Sequence, residues 1–491
     1  FLQTFTSRTT KWQTSNKKMQ NRFSLFLIFF QVFSSSIGWG QSDSTLVSFD
    51  DYMQLVKQYH PIAKQGELII ESGEINMLGA RGSFDPIIKS QLDQKQFDGK
   101  EYFTLNTNTI EVPTPLGIQI KAGYDRSTGS FVNPENNLPE NGLAYAGVAV
   151  PLGAGLLFDE RRQAVRQAEL FERATFLERT LLINQLVFDA SKAYWNWYAA
   201  WNSFEIYDQA VDLATFRFEG VKQSFQQGDV PAIDTLEAFI LVQNRQLRRN
   251  EAVIQLQQAK LEASNFLWSE SMQPLVLAEE SKPFEFEAVR LDDPLIQRAI
   301  AGLLAEIERF HPKILLYINK LENLDFERRM KAEKVKPKLN LNYNLLNQPV
   351  GSNPFENYSN NDYKWGFEFS MPLLLRKGRG DLQMAKLKIN QTDLERQNET
   401  LQIRNKVKTY QVEIENLFEQ VELYRSTVEN YQSMLDGEQR KFEEGESSLF
   451  IVNSRENSLI TAEVKLIELI GKYQKAQAGI EQALGGFNGE I

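Results

Sequence analysis

Cysteine is missing from this chain of 491 residues, and histidine occurs only twice. Without cysteine the chain can form no disulfide bond, no thiolate metal site and no lipid-modified cysteine at a mature N-terminus. The sequence also shows no glycine-rich phosphate loop, no Ser/His/Asp arrangement and no histidines at metal-ligand spacing. We therefore predict no enzyme, no cofactor and no metal site.

Long apolar segments are scarce as well. The apolar run at residues 23–33 follows Arg22 and precedes the small residues Gly38 and Gly40, which is the layout of a secretory signal peptide. An uncleaved anchor is the alternative, but the run is short of the roughly 20 residues that a membrane-spanning helix needs. We predict cleavage after Gly40. Since no longer apolar run follows, a mature chain that crosses a membrane must do so as a closed β-barrel.

The charge balance is acidic, with 54 Lys and Arg residues against 64 Asp and Glu residues. Proteins that bind nucleic acids carry clustered positive charge, so we predict no nucleic-acid partner. With 42% apolar and 24% charged residues, the chain has enough apolar material for a packed core. A secreted protein of this size without disulfides must be held together by packing or by oligomerisation.

The sequence repeats itself in tandem. The stretch "YHPIAKQGELIIESG", which starts at Tyr59, parallels "FHPKILLYINKLENL", which starts at Phe310. Further along, "VAVPLGAGLLF" around Pro151 parallels "FSMPLLLRKGR" around Pro372. The order is the same, but the first copy is about 30 residues longer between its His-Pro and Pro-Leu motifs. We predict a tandem duplication whose first copy contains an insertion.

Long helical patterns follow each Pro-Leu motif. Between Gly378 and Phe442 the sequence has no proline, and its apolar residues alternate at spacings of four and three. This 3.5-residue period is typical of helices that supercoil against neighbours. A first-copy helix over residues 158–225 would be roughly 100 Å long. We predict one long antiparallel helical hairpin in each copy. The first copy's seam residues are Leu177, Leu181, Phe188, Trp195, Tyr198, Ile240, Leu247, Ile254 and Leu261.

Glycines mark the turns of both hairpins, Gly228 in "SFQQGDVPAID" and Gly445 in "FEEGESSLF". Glycine adopts the left-handed conformation that ends many helices at little steric cost. We expect Asp229 or Ser447 to cap the helix that follows its turn.

Alternating polar and apolar residues lie between the His-Pro and Pro-Leu motifs. The second copy has two such runs, Leu339–Leu346 and Tyr363–Leu373, and the first has three, Phe103–Ile110, Gly117–Tyr124 and Leu143–Val150. They are typical of strands in a membrane barrel, although a soluble hairpin is the alternative. Which first-copy runs join the barrel stays open. Two strands per copy give four per chain, which cannot close a barrel, whereas three chains give 12. The arithmetic predicts a homotrimer.

The order of short helix, His-Pro, helix, strands, Pro-Leu, long helix, glycine turn and long helix, twice over, resembles the TolC-like outer-membrane efflux proteins. The resemblance covers residues 45–486, and "FQQGDVPAIDTLEA" and "FEEGESSLFIVNSRENSL" are similar to the family's two periplasmic tip turns. It implies a mainly α fold, in which a trimeric 12-stranded β-barrel in the outer membrane continues as a tunnel of coiled helical hairpins, the α-barrel, across the periplasm.

The resemblance also implies a function without chemistry of its own. The family conducts drugs, metal ions or polypeptides that an inner-membrane pump and a periplasmic adaptor protein deliver, in tripartite efflux or type I secretion. A periplasmic adaptor or a coiled-coil scaffold without a pore is the alternative. An adaptor would have one hairpin flanked by lipoyl-like β segments, and a scaffold would need neither signal peptide nor strands.

Two sets of site residues follow from the resemblance. The first consists of the tip turns against which the adaptor docks: Gly228, Asp229, Val230, Gly445, Ser447 and Ser448. The second consists of acids that could face the lumen or gate it: Asp234, Glu237, Glu444, Glu446 and Glu456. The chain departs from the family at Ile451 and Ser454, where better-known members often carry acids. Asp234 and Glu237 can also be read as first-turn acids that the helix dipole favours.

Other residues have structural interpretations. His60 and His311 belong to turns rather than to a metal site, since one histidine per repeat does not make a site. "YWNWYAAW", from Tyr194 to Trp201, packs between helices. The capping box of Ser48 with Asp51, and Asp293 with Pro294, start helices.

The patterns divide the chain into nine segments. These are residues 1–40 (upstream residues and signal peptide), 41–83 (opening helices of the first copy), 84–151 (its barrel strands), 152–270 (its long hairpin), 271–292 (the segment between copies), 293–335 (opening helices of the second copy), 336–373 (its barrel strands), 374–486 (its long hairpin) and 487–491 (the tail).

Overall fold

The structure is a computed structural model that describes residues 46–156, 158–283, 297–348 and 358–486. The predicted signal peptide and the helix start at Asp293 and Pro294 lie outside the described residues. Two units emerge from the contacts within the chain. In the smaller unit, Phe1–Val47 with Glu280–Lys282, the described residues include a parallel bridge between Leu46 and Lys282. The larger unit comprises Ser48–Glu279 and Pro283–Ile491.

Each copy opens with two helices joined at its His-Pro motif. In the first copy these are α1 (Phe49–Tyr59) and α2 (Pro61–Arg81). The Ser48 side chain accepts a hydrogen bond from the backbone N–H of Asp51, so the predicted cap is present.

A six-stranded antiparallel sheet follows. Its strands lie in chain order, so that each is hydrogen-bonded to its sequence neighbours. The first copy contributes β1 (Ile87–Phe97), β2 (Lys100–Pro113), β3 (Gln119–Thr128) and β4 (Leu143–Pro151).

Two long helices then complete the first copy. They are α3 (Glu160–Gln227), of 68 residues, and α4 (Ala232–Ser264), of 33 residues. At 1.5 Å per residue, α3 is about 100 Å long.

The second copy repeats this order with two strands. Its elements are α5 (Gln297–Phe310), α6 (Pro312–Glu333), β5 (Lys338–Asn347), β6 (Tyr363–Ser370), α7 (Arg376–Glu443) and α8 (Leu449–Ala483). The helix α7 again has 68 residues, and it packs along α8 as α3 packs along α4. The predicted duplication of long helical hairpins is therefore present.

The strand count differs from the four that the sequence predicted. All three alternating runs of the first copy are strands, and β1 is a fourth that was not recognised. Polar residues stand on both faces of β1, "IIKSQLDQKQF", so it lacks the alternation that marks a half-buried strand. Its turn residues, Asp98 at φ 51° and Gly99 at φ 69°, form the Asp-Gly signal of a tight hairpin. The insertion in the first copy therefore adds a pair of strands.

The two faces of the sheet differ in chemistry. On one face, Leu339, Leu341 and Tyr343 of β5 stand opposite Phe369, Phe367 and Trp365 of β6. On the other face, Glu111 forms ion pairs with Lys89, at 2.7 Å, and Lys121, at 3.8 Å. Aromatic residues of β5 and β6 on one face, with ion pairs on the other, suit a boundary between lipid and water.

Aromatic side chains bury the contact between α1 and α3. Tyr194, Trp197 and Tyr198 of α3 are fully buried, and Tyr52 of α1 lies 5.4 Å from Tyr194 between ring centroids. The Tyr52 hydroxyl donates to the carbonyl of Ala263 at 2.9 Å. The aromatic stretch thus packs between helices, as the sequence indicated. Over the described residues, no helix is both long and apolar enough to cross a membrane.

Candidate functional site at the helix tips

Both tip turns use the same backbone geometry. Gly228 has φ 84° and Gly445 has φ 81°, which confirms the left-handed conformation expected for them. In the first turn the backbone N–H of Asp229 donates to the carbonyl of Ser224 at 2.9 Å. In the second, the N–H of Glu446 donates to the carbonyl of Lys441 at 2.7 Å. In each turn the hydrogen bond joins residues five positions apart. It satisfies a carbonyl that the end of α3 or α7 would otherwise leave free.

The caps of the returning helices differ from the prediction. Pro231 is the N-cap of α4 and Ser448 that of α8, and neither makes a side-chain capping hydrogen bond. Asp229 lies two residues before the cap of α4. The Ser447 hydroxyl instead donates to Oε1 of Glu438 at 2.5 Å. The expectation that Asp229 or Ser447 caps the next helix was wrong, because proline occupies one cap and Glu438 engages the serine.

Four of the five candidate gate acids lie close to the turns. Asp234 and Glu237 belong to the first two turns of α4, while Glu444 and Glu446 flank Gly445. Glu237, Glu444 and Glu446 are exposed, and Asp234 is half-buried.

Glu456, the fifth candidate, is buried, with 3% of its surface exposed. It lies on α8 and pairs with Arg217 of α3 and with Arg245 of α4, whose Nη2 is 3.8 Å from Oε1 of Glu456. Burial lowers the pKa of Arg245, and the charge of Glu456 opposes that shift. A buried carboxylate needs such partners because its desolvation is costly. Within one chain Glu456 therefore joins three helices rather than facing open solvent.

An apolar groove of about 470 Å³ opens beside the first tip. It is lined by Phe218, Phe225, Ala232, Thr235, Leu236 and Phe239. The matching positions of the second copy include Leu435 and Val452, which are buried in a packed cluster. Sequence reasoning missed this difference, although the seven-residue spacing of Phe218 and Phe225 on α3 was a signal for it.

The predicted seam of α4 faces away from α3. Ile240, Leu247, Ile254 and Leu261, together with Ile233, recur every seven residues and are 47% to 63% exposed. Smaller residues such as Ala238, Ala252 and Ala259 are buried on the other side of the helix. One copy of the chain thus displays an apolar stripe with heptad spacing.

Each histidine caps an opening helix. Nδ1 of His60 accepts from the N–H of Ile62 at 3.1 Å, and Nδ1 of His311 accepts from the N–H of Lys313 at 3.2 Å. The two rings also form hydrogen bonds with the backbone of Asn265 and Ala483, at the ends of α4 and α8. The histidines are therefore turn residues, as the sequence indicated.

Part of the chain matches a known protein family. The profile of the family described as outer membrane efflux protein matches residues 329–486, from the end of α6 through α8. The second copy, from its strands onward, is therefore similar to outer membrane efflux proteins. A search of curated protein sequences finds no match.

Solved structures of outer membrane proteins share the fold over both copies of the duplication. The CmeC outer membrane channel of Campylobacter jejuni is 13% identical, with a TM-score of 0.63 over 90% of this chain and 86% of that one. The outer membrane protein VceC of Vibrio cholerae is 13% identical, with a TM-score of 0.60 over 89% and 96%. The MtrE outer membrane channel of Neisseria gonorrhoeae is 13% identical, with a TM-score of 0.59 over 89% and 88%. The mainly helical fold with a small antiparallel sheet is confirmed.

Proposed function

We propose that three copies of this chain form a passive channel through the outer membrane, from an inner-membrane pump and a periplasmic adaptor protein to the cell exterior. The observation that carries this proposal is the two-faced sheet. Trp365, Phe367 and Phe369 are more than half exposed on one face, while the ion pairs of Glu111 lie on the other. Lipid outside and water inside would satisfy both faces.

The stripe on α4 supports a homo-oligomer. Leucine and isoleucine residues at strict heptad spacing form the apolar seam by which one helix packs against another. A further copy of the chain supplies such helices, and it also supplies strands for the sheet edges. Three copies would give a closed assembly, which agrees with the trimer that the resemblance to the TolC-like proteins implies.

The tips are proposed to bind the adaptor. Support comes from the matching turns, whose residues Gly228, Asp229 and Gly445 are exposed and whose backbone geometry is fixed. The exposed acids Glu237, Glu444 and Glu446, with Asp234, are proposed to line the narrow end of the lumen. For Glu456 we propose a structural role: its ion pairs hold the two hairpins together near the tip.

The test is to purify the processed protein in detergent, to determine its mass by light scattering and to insert it into planar bilayers. We expect a trimeric mass and discrete conductance steps. A monomer that stays soluble without detergent and conducts no current would contradict the proposal, and it would favour an adaptor or scaffold without a pore.

A further inference from the structure

The geometry points to a barrel in which all six strands of each copy take part, so that β1 of one copy pairs with β6 of the next. This inference rests on the proposed trimer and deepens it. Three six-stranded sheets give 18 strands, in place of the 12 that follow from two strands per repeat. Barrels of 16 to 18 strands leave an aqueous channel.

The edges of the sheet require partners. Within the described residues, β1 and β6 each pair on one side only. The edge strand β6 exposes Tyr363, Trp365, Phe367 and Phe369 on its apolar face. In a bilayer the free N–H and C=O groups of such a strand cannot be left unpaired. A strand from another copy must therefore lie beside β6.

If each copy contributed only the four strands β3 to β6 to the barrel, β6 would pair with β3 of the next copy. The sheet excludes this pairing. The free edge of β3 is occupied by β2 from Thr104–Thr128 to Pro113–Gln119. The turn between these strands also lies at the helix end of the sheet, because a Cβ on Gly117 would meet Nη2 of Arg162 at 2.9 Å. Both strands therefore run the full height of the sheet, and β1 is the edge that remains.

The strand ends drift as they do in a tilted barrel. One row of paired residues crosses the sheet through Ile88, Ile110, Ala122, Ala146, Leu345 and Tyr363. At the helix end of the sheet, β1 extends one residue beyond this row and β6 extends seven residues beyond it. Away from the helices, β1 extends nine residues beyond the row, whereas β6 begins at it. The mean drift is about 1.5 residues per strand, a tilt of roughly 45°.

Strand direction and side-chain face also agree where β1 of one copy would pair with β6 of the next. Because the sheet has an even number of strands, β1 runs away from the helices and β6 runs toward them, so they meet antiparallel. If the same drift of about 1.5 residues continues from β6 to β1 of the next copy, Leu92 of that copy lies opposite Phe367 or Phe369. All three side chains are then on the same face. The polar residues on that face of β1 and β2 bond to each other. Ser90 Oγ donates to Oδ1 of Asn108 at 2.7 Å, and Nδ2 of Asn108 donates to Oδ1 of Asn106 at 2.8 Å.

Cysteine pairs test the seam, since the chain has no native cysteine. Phe367→Cys is combined with one β1 variant, Ser90→Cys, Leu92→Cys or Gln94→Cys, or with one β3 variant, Ile120→Cys, Ala122→Cys or Tyr124→Cys. Directly opposite Cβ atoms in an antiparallel pair lie about 5 Å apart, close enough for a disulfide. We expect oxidation to link copies through β1, with a maximum at one position, and not through β3.

The outcomes separate the two proposals. Links through β3 and none through β1, from a protein of trimeric mass, would overturn the 18-stranded barrel and leave the channel intact. A monomeric mass would overturn both. Since a cysteine variant can fail to assemble, electron microscopy of the unmodified trimer provides a second measurement. We expect 18 strands and a barrel about 1.5 times as wide as one of 12 strands, whereas 12 strands would refute the inference.

Discussion

Arg217 on α3 and Glu456 on α8 form an ion pair that joins the two copies of the duplication within one chain. Arg245 on α4 lies on the other side of the same carboxylate and also donates to Oδ1 of Asn457 at 3.2 Å. Two arginines and one carboxylate thus lie together close to the tips. The carboxylate offsets one of the two positive charges, and without it two cations would lie beside each other.

Replacing Glu456 by Gln tests this contact. Removing one partner of a buried ion pair costs about 3 kcal/mol or more, because the remaining charge is desolvated without compensation. We expect a lower midpoint of thermal unfolding and faster hydrogen exchange in the tip halves of α3, α4 and α8. The matched control is Glu251→Gln, since Glu251 pairs with Arg248 at the surface of α4. Equal effects of the two variants would contradict the assignment.

The tip glycines give a second prediction. Gly228→Ala should destabilise the first turn by about 1 kcal/mol, because alanine is strained at positive φ. A Cβ at this position would meet no atom within 4 Å, so crowding within the chain does not contribute. Gly220→Ala is the matched control, because Gly220 has equally open surroundings but lies inside α3. It should stabilise the helix by up to about 1 kcal/mol.

Opposite signs for these two variants in thermal unfolding would support the turn geometry. Stabilisation by Gly228→Ala would show that the first turn does not need a left-handed residue. Adaptor binding by Gly228→Ala can be measured on the same samples to test the proposed docking role.

The duplication and the helical hairpins could be predicted from the sequence because their signals are periodic and long. Gly228 and Gly445 each stand at the end of about 68 helical residues. The strand β1 could not be found in this way, since both its faces are polar. Its existence depends on pairing with β2, and pairing is a tertiary property that a single run of residues does not encode.

The surroundings of individual side chains were equally hidden from the sequence. Glu456 looks like any exposed helix acid in the sequence. Only the packing of α8 against α3, with Arg245 reaching across from α4, brings the two arginines to it. The capping residue of α4 was predicted wrongly for a different reason. Local rules favour Asp229, but Pro231 occupies the N-cap, and its extended backbone precedes the first helical residue, Ala232.

The histidine caps predict an acid-sensitive junction between the opening and returning helices. Burial lowers the pKa of His311 to about 4, with Lys313 and Lys406 adding to the shift and the backbone of Ala483 and Glu399 opposing it. The unfolded chain takes up the proton near the ordinary pKa of about 6.5. The stability from neutral His311 is therefore complete above about pH 6.5 and is lost as the pH falls toward 4.

The variant His311→Asn keeps a residue suited to the cap but removes the titration. We expect the stability of the wild type to fall between pH 7 and pH 5 by on the order of 2 kcal/mol more than that of the variant. Unfolding midpoints at the two pH values measure this difference. An unchanged dependence on pH in His311→Asn would show that another group causes the loss.

The heptad stripe on α4 gives the last prediction, which separates assembly from folding. Leu247 is 57% exposed in one copy, so Leu247→Glu removes little packing within the chain. In an assembly the same side chain would lie in a helix seam, where a buried unpaired carboxylate costs several kcal/mol. We expect a reduced trimeric fraction by light scattering in detergent, with helical content by circular dichroism unchanged. Gln246→Glu places the same charge on the adjacent, off-stripe residue and should leave the trimer intact. If both variants remain trimeric, the stripe is not the seam, and other surfaces must hold the copies together.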